Sequence, residues 1–429
     1  MKYIQLILLF VTFSIAISCN THTNKQVTNS KEYNQYLELS DNYKLKAIQS
    51  DYSFWENKLI ETPNQFPYNA KLAAANSKIF TLTGAISKLK NAEKNLIEAN
   101  KKTNYNNAGY LRSLARNYIS QHRFKEALTL LTKAEYNGEH LKRTHFMLID
   151  VHLELGNYTK VEKYLSKTKN FKDFDYLIRL SKYNDHLGNL DNAIKYLEDA
   201  LEIAKASKNQ DLIQWNYTNL ADYYGHAGRI QDSYHSYLKA LTINPNNSYA
   251  KKGIAWIVFS YERNPEEALR ILNTVTKENA SPDYHLLKAE IADFMGNVAE
   301  KENQINIYLQ KVSNKDYGVM YHKYNVLLFS DKKPKEAMQI AIQEVKERPT
   351  AQSYDLLAWA YYKNAEYKKA LEITEKYVLN KTFEPEALLH SAYILKANGK
   401  LKKAIELKEE LLGAIYELGP NSESEIKNI

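Results

Sequence analysis

Cysteine is nearly missing: residue 19 is the only one in 429. Such a chain forms no internal disulfide and has no paired cysteines for a metal knuckle, so apolar packing must hold the fold. Glycine and proline are thin as well, at 13 and 9 residues, against average usages of roughly 7% and 5%. A large β-rich protein spends turn residues faster than this, which favours helices. The one long apolar run, Leu6 to Ile17, has 12 residues, where a membrane-crossing helix needs about 20. The formal charge of +8 is spread along the chain, with no Lys/Arg block interleaved with aromatics, so no nucleic-acid partner is expected. HExxH, GxSxG, Walker and GxGxxG motifs are all absent, and the expectation is no enzyme and no cofactor. His140, His145 and His152 have no cysteine or acidic neighbour at ligand spacing, so no metal is expected either.

What is present begins at the N-terminus. Lys2 followed by the apolar run suits a signal peptide. The run ends in "AISC", with small Ser18 directly before Cys19, and Ala16 where Leu or Val is usual. This resembles the lipobox of bacterial lipoproteins. The resemblance implies a signal peptide over 1–18 and lipidation of Cys19, which becomes the first mature residue. One acyl chain holds a protein only marginally, at about 0.8 kcal/mol per buried methylene, whereas several hold it stably. Residues 19–31 are polar and read as a disordered tether. The Asn- and Tyr-rich composition, with 34 tyrosines, looks like the Bacteroidetes group. Surface-exported lipoproteins of that group tend to carry acidic residues just after the cysteine; here none comes before Glu32. The expected address is therefore the outer membrane, on its periplasmic face.

The body of the chain is periodic. Aligning small residues that open every second helical stripe gives Ala92, Ala127, Val161, Ala193, Ser233, Ala268, Lys301, Ala337, Ala370 and Ala404. Their spacings run from 32 to 40 residues, mostly 33 to 36. Apolar residues at i, i+3, i+4 and i+7 give each helix one buried stripe, which a single hairpin cannot cover, so neighbouring units must stack. Glycine stands five residues before the reference position in five copies: Gly156, Gly188, Gly228, Gly296 and Gly399. That is where a left-handed corner between helices belongs. The six prolines between 107 and 412 all fall outside helix interiors in this register.

The stretch WNYTNLADYYGHAGRIQDSYHSYLKALTINPNN supplies Leu220, Ala221, Tyr224, Gly228, Ser233, Tyr237, Ala240 and Pro245. A later copy supplies Leu357, Ala358, Tyr361, Tyr367, Ala370 and Tyr377, and an earlier one Leu114, Ala115, Tyr118, Phe124, Ala127 and Ala134. These positions are similar to those of the tetratricopeptide repeat, a helix–turn–helix unit of about 34 residues. The resemblance implies an all-α protein, a right-handed α-solenoid of about nine to ten repeats with an N-terminal helical cap. The expected boundaries are 32–105 for the helical N-terminal region, with at most one degenerate repeat, 106–415 for the solenoid and 416–429 for a C-terminal tail. Trp55 is the expected core residue of the first of these.

In that family the first helix of each unit lines a concave groove. Carried over, the groove positions fall on Arg112, Arg116, Asp150, Lys182, Asp222, Trp359, Tyr362 and Tyr393. Arg112 and Arg116, one turn apart, are spaced to clamp a carboxylate or phosphate. Trp359, Tyr362 and Tyr393 suit a peptide side chain or a sugar ring. Solvated helix faces and inter-helix packing are the plain alternatives for both groups. The expected function is a lipid-anchored envelope scaffold that holds a protein or peptide partner. The alternative is a glycan- or nutrient-binding lipoprotein of the outer membrane that uses the aromatic residues.

Overall fold

The computed structural model describes residues 26–38 and 41–429, and every regular element among them is helical. The signal segment and Cys19 lie outside the described residues. Two helices come first, α1 (Ser30–Leu37) and α2 (Tyr43–Glu61). Hairpins follow in chain order: α3 (Pro67–Thr83) with α4 (Ile86–Lys102), α5 (Ala108–Ser120) with α6 (Phe124–Asn137), and α7 (Leu141–Glu154) with α8 (Tyr158–Thr168). Next come α9 (Phe174–His186) with α10 (Leu190–Ser207), and α11 (Gln210–His226) with α12 (Ile230–Ile243). The helix α13 (Ser248–Trp256) continues through a π-helical turn, Ile257–Tyr261, and pairs with α14 (Pro265–Glu278). Then follow α15 (Asp283–Phe294) with α16 (Val298–Val312), α17 (His322–Lys332) with α18 (Pro334–Glu347), α19 (Ala351–Lys363) with α20 (Tyr367–Ile373), and α21 (Pro385–Ala397) with α22 (Leu401–Leu412). Two short helices, α23 (Ile415–Leu418) and α24 (Ser422–Lys427), end the chain.

The reference positions are small because a second helix crosses there. Ala92, Ala127, Val161, Ala193, Ser233, Ala268, Ala337, Ala370 and Ala404 are all fully buried. Lys301 is the exception: it stays half-exposed and pairs with Asp293 at 2.9 Å, while Ile305 and Tyr308 fill the interior of that unit. The hydroxyl of Tyr308 donates to Asn325. Pro67, Pro265, Pro334 and Pro385 each open a helix, where the missing N–H costs nothing. The five turn glycines have φ between +70° and +76°. In three other copies His122, Arg263 and Ala365 take the same left-handed corner at +58° to +61°. A side chain in that region costs roughly 1–2 kcal/mol, so helix packing sets the corner and glycine only eases it. The longest spacing, from Ala193 to Ser233, is absorbed by α10 and α11, which are 18 and 17 residues long.

The solenoid coils tightly enough for its second turn to touch its first. Gly156 abuts Pro349, Gly188 lies under the ring of Phe383 and Gly225 under that of Tyr416. The amide of Ala280 donates to Thr83 O at 2.7 Å. Arg348 reaches Glu154 at 3.2 Å and covers the ring of Phe124. Corners within the repeats of the first turn thus seat on loops between the repeats of the second.

Three expectations need correction. Residues 26–31 are ordered rather than a free tether: Val27 and Thr28 donate their amides to Glu262, and the Thr28 hydroxyl donates to the same carboxylate. Just beyond, Tyr33 is buried and donates to Glu267 at 2.6 Å. The segment is polar, but a carboxylate 235 residues away satisfies its backbone. Residues 416–429 are not a loose tail, because α23 and α24 fold back over the solenoid and bury Ile426. Trp55 is not a core residue; α2 buries no side chain completely, and Trp55 rests on Tyr68 and under Lys71 at the surface.

Candidate functional site

The first helices of the hairpins line the concave face, and its two halves differ in charge. In the first half α3, α5, α7 and α9 surround a hollow of about 790 Å³. Its floor is apolar, with Ala73, Phe80, Leu89, Phe146 and Met147. Above the floor stand Arg112, Arg116, Arg143 and Arg179. Arg179 is already committed, donating to Asp150 at 2.8 Å, to Phe146 O and to Asp175 O. Arg112 donates to Glu139 O at 2.8 Å and to the Thr144 hydroxyl. Partial burial holds its pKa below the usual guanidinium value, and the neighbouring Arg143 pushes in the same direction. Arg116 and Arg143 are exposed and form no ion pair among the described residues. Arg112 and Arg116 line one hollow, and Arg143 lines it with them.

The second half of the groove is acidic. Asp222 accepts hydrogen bonds from Tyr237 at 2.5 Å and Tyr249 at 2.7 Å. Burial raises its pKa while the two tyrosines pull it down. It is therefore held by the fold rather than free for a partner. Close by, burial pushes Glu290 up to about 8, with Asp293, Glu386 and Glu425 adding repulsion. Burial likewise pushes Glu417 up to about 7, helped by Glu384 and Asp185. Asp185 itself rises to about 6 through burial and Glu384. The cation in this hollow is Lys323, paired with Glu386 at 2.7 Å.

The aromatic trio is brought together and largely used up. Trp359 stacks on His390 with ring centres 4.1 Å apart and on Tyr362 at 5.0 Å. His390 is fixed in turn by Asp355 at 2.9 Å, both buried. Lys363 lies over the Trp359 ring. Tyr393 donates its hydroxyl to Glu425 O at 2.8 Å, so the chain's own C-terminus occupies it. Of the remaining expected groove positions, Asp150 holds Arg179 and Lys182 pairs with Glu154 at 2.8 Å.

Sequence reasoning missed Arg143, Glu290 and Tyr416. A signal existed for the first. Gly109, Arg143 and Asp175 each stand eighteen residues before three successive reference positions, and all three line the same hollow. The groove thus reaches further toward the N-terminus of these helices than the positions carried over, by one turn in α5 and two in α7 and α9. No such signal existed for Tyr416, because its place depends on a fold-back.

Residues 174–207 and 216–247 match the family model described as Tetratricopeptide repeat. The fold is an α-solenoid of tetratricopeptide type. No curated protein matches the chain at a significant level. Among solved structures, yeast Tom70 aligns with 89% of this chain and 91% of its own, at 13% identity and a TM-score of 0.37. A tetratricopeptide repeat protein from Parabacteroides merdae aligns with 59% of this chain and 96% of its own, at 19% identity and a TM-score of 0.34. The human IFIT1 dimer with m7Gppp-AAAA aligns with 80% of this chain and 77% of its own, at 15% identity and a TM-score of 0.47. Among the described residues no helix is long and apolar enough to cross a membrane, and no group of three or more His, Cys, Asp or Glu is placed to hold a metal ion.

Proposed function

We propose that this protein is a lipid-anchored scaffold of the bacterial envelope that holds a protein or peptide partner in its concave groove. The observation that carries the reading is the arginine hollow. Arg112, Arg116 and Arg143 converge above an apolar floor, and none of the three forms an ion pair within the described chain. A segment with a carboxylate next to an apolar side chain fits both features, since guanidinium groups bind carboxylates through paired N–H donors. Affinity in such a groove comes from a few residues rather than from total area. Replacing Arg116 and Arg143 together by Glu is expected to abolish partner capture after crosslinking in the native envelope, with the helical circular dichroism unchanged. Capture that survives in full would sink this assignment.

The membrane part of the proposal rests on Cys19 and its lipobox-like surroundings, on the periplasmic side of the outer membrane. Gln26 is held close to Glu262 through Val27 and Thr28. Seven residues of extended chain span at most about 25 Å, so a lipidated Cys19 would keep the solenoid close to the bilayer. Cys19→Ser is expected to move the protein from the membrane to the soluble fraction; an unchanged membrane fraction would count against lipidation. The glycan-binding alternative has less support, because Trp359 is stacked within the protein and Tyr393 is bonded to the C-terminal segment.

A further inference from the structure

The C-terminal segment crosses the acidic half of the groove, and its contacts are those of a bound peptide. Tyr416 O accepts from Trp256 Nε1 at 3.1 Å and from Ser260 Oγ at 2.7 Å. Glu425 O accepts from Tyr393, Lys427 O from Lys408 and Asn428 O from Lys396. These bonds go to main-chain carbonyls, which every residue carries, so they hold the segment whatever its side chains. Side chains add to this: Ile426 is fully buried against α21 and α22, the ring of Tyr416 lies on Gly225, Asn421 donates to Glu290 O at 2.9 Å and Glu423 pairs with Arg263 at 3.4 Å. Gly225 lies in the last turn of α11, a helical position where glycine is less favourable than alanine. Its turn of helix is shaped to receive a ring. Ser260 sits on the π-helical turn that follows α13, and such turns often mark functional sites.

We propose that residues 414–429 are a reversible, autoinhibitory occupant of this half of the groove. The surface beneath them is then a docking site for a partner segment with an aromatic residue followed by a basic one. The proposal rests on the groove reading above but uses different residues from the arginine hollow. The basic preference follows from charge. Glu417 lies among Glu384, Asp185 and Asp222, facing His226 at 3.9 Å and Lys323, which is already paired with Glu386. Burial holds His226 below its ordinary pKa, so it offers little compensating charge. The resident segment therefore carries a carboxylate where the groove repels one, and a competitor with Lys or Arg at that place binds better.

The test uses the full chain and a fluorescent peptide of residues 414–429, followed by anisotropy at pH 7.5. Wild type is expected to bind the peptide weakly, because the site is filled. The double variant Tyr416→Ala/Ile426→Ser, which frees its own segment, is expected to bind it at least tenfold more tightly. The peptide carrying Glu417→Lys should bind that variant several-fold more tightly again. Arg116→Glu/Arg143→Glu should leave these values unchanged, so failure of the arginine hollow is read separately. Equal binding to wild type and double variant overturns the proposal, as does a Glu417→Lys peptide that binds no better. Loss of the helical signal in the double variant also overturns it, since the segment would then be permanent core. Hydrogen exchange of wild type needs no variant: amides of 415–427 should exchange at least tenfold faster than those of α21 and α22, and equal protection overturns the proposal.

Discussion

The ring of Tyr416 rests directly on Gly225: a Cβ added at residue 225 would lie 2.8 Å from Tyr416 Cε1 and 3.1 Å from its hydroxyl oxygen. The two residues are 191 apart in sequence, and their contact closes the groove over α11. Gly225→Ala should therefore act in opposite directions on two observables. Helix propensity favours alanine, by at most about 1 kcal/mol in this last turn of α11, while the ring must move. The expected result is a melting temperature unchanged or raised, with faster proteolytic cleavage after residue 413. Slower cleavage would show that the ring does not depend on this glycine.

Docking of that segment should weaken as pH rises. Glu417 is held at about 7 when docked, mainly by burial, and returns toward the ordinary carboxylate value near 4.3 when released. The docked form therefore binds the extra proton, and its advantage is full below the released value and lost as pH rises through about 7. Asp185 and Glu290, at about 6 and about 8, shift in the same direction. Exchange of amides 415–427, corrected for intrinsic rates, should be faster at pH 8 than at pH 5.5. Glu417→Gln should flatten the dependence, and an unchanged slope would show that other groups govern it.

Arg348 ties the two turns of the coil together. It bonds Glu344 at 2.6 Å within its own turn and Glu154 at 3.2 Å across the seam. Burial raises the pKa of Glu154, but Lys182 and Arg348 outweigh it and hold the carboxyl below its usual value. Arg348→Ala should cost about 1–3 kcal/mol, because a partly buried carboxylate loses a partner. Denaturant unfolding gives the energy. Small-angle scattering should show a larger radius of gyration if the seam opens, and an unchanged radius would place the tie elsewhere.

Ala365 pays for a corner that glycine would make freely. Its φ is +61°, and it is exposed after α19. Ala365→Gly should stabilise the protein by about 0.5–1 kcal/mol. A lowered melting temperature would mean that the alanine methyl makes a contact worth more than the strain.

Much of this was legible in the residues themselves. The repeat length, the small crossing residues such as Ala221 and Ala370, and the prolines that open α14, α18 and α21 all follow from local sterics, which repeat with the sequence. Arg112 and Arg116 were placed in one space because one helical turn fixes their relation. Arg143 was missed although the same register pointed to it. The corners at His122 and Arg263 carried no glycine to announce them.

The sequence by itself determined the unit: an amphipathic hairpin whose stripe must be covered by the next, repeated until the chain ends. Which helix of each unit faces inward came only through the resemblance to the tetratricopeptide repeat. Tertiary structure alone decided how tightly the units coil, and from that came the contacts about 195 residues apart at Gly188 and Phe383. It alone turned the last residues back into the groove, occupied Tyr393 and left Arg116 and Arg143 open. The physical reason is range. Helix period and crossing distance act over a few residues, whereas the coil is the sum of small rotations at every interface, which no single copy records.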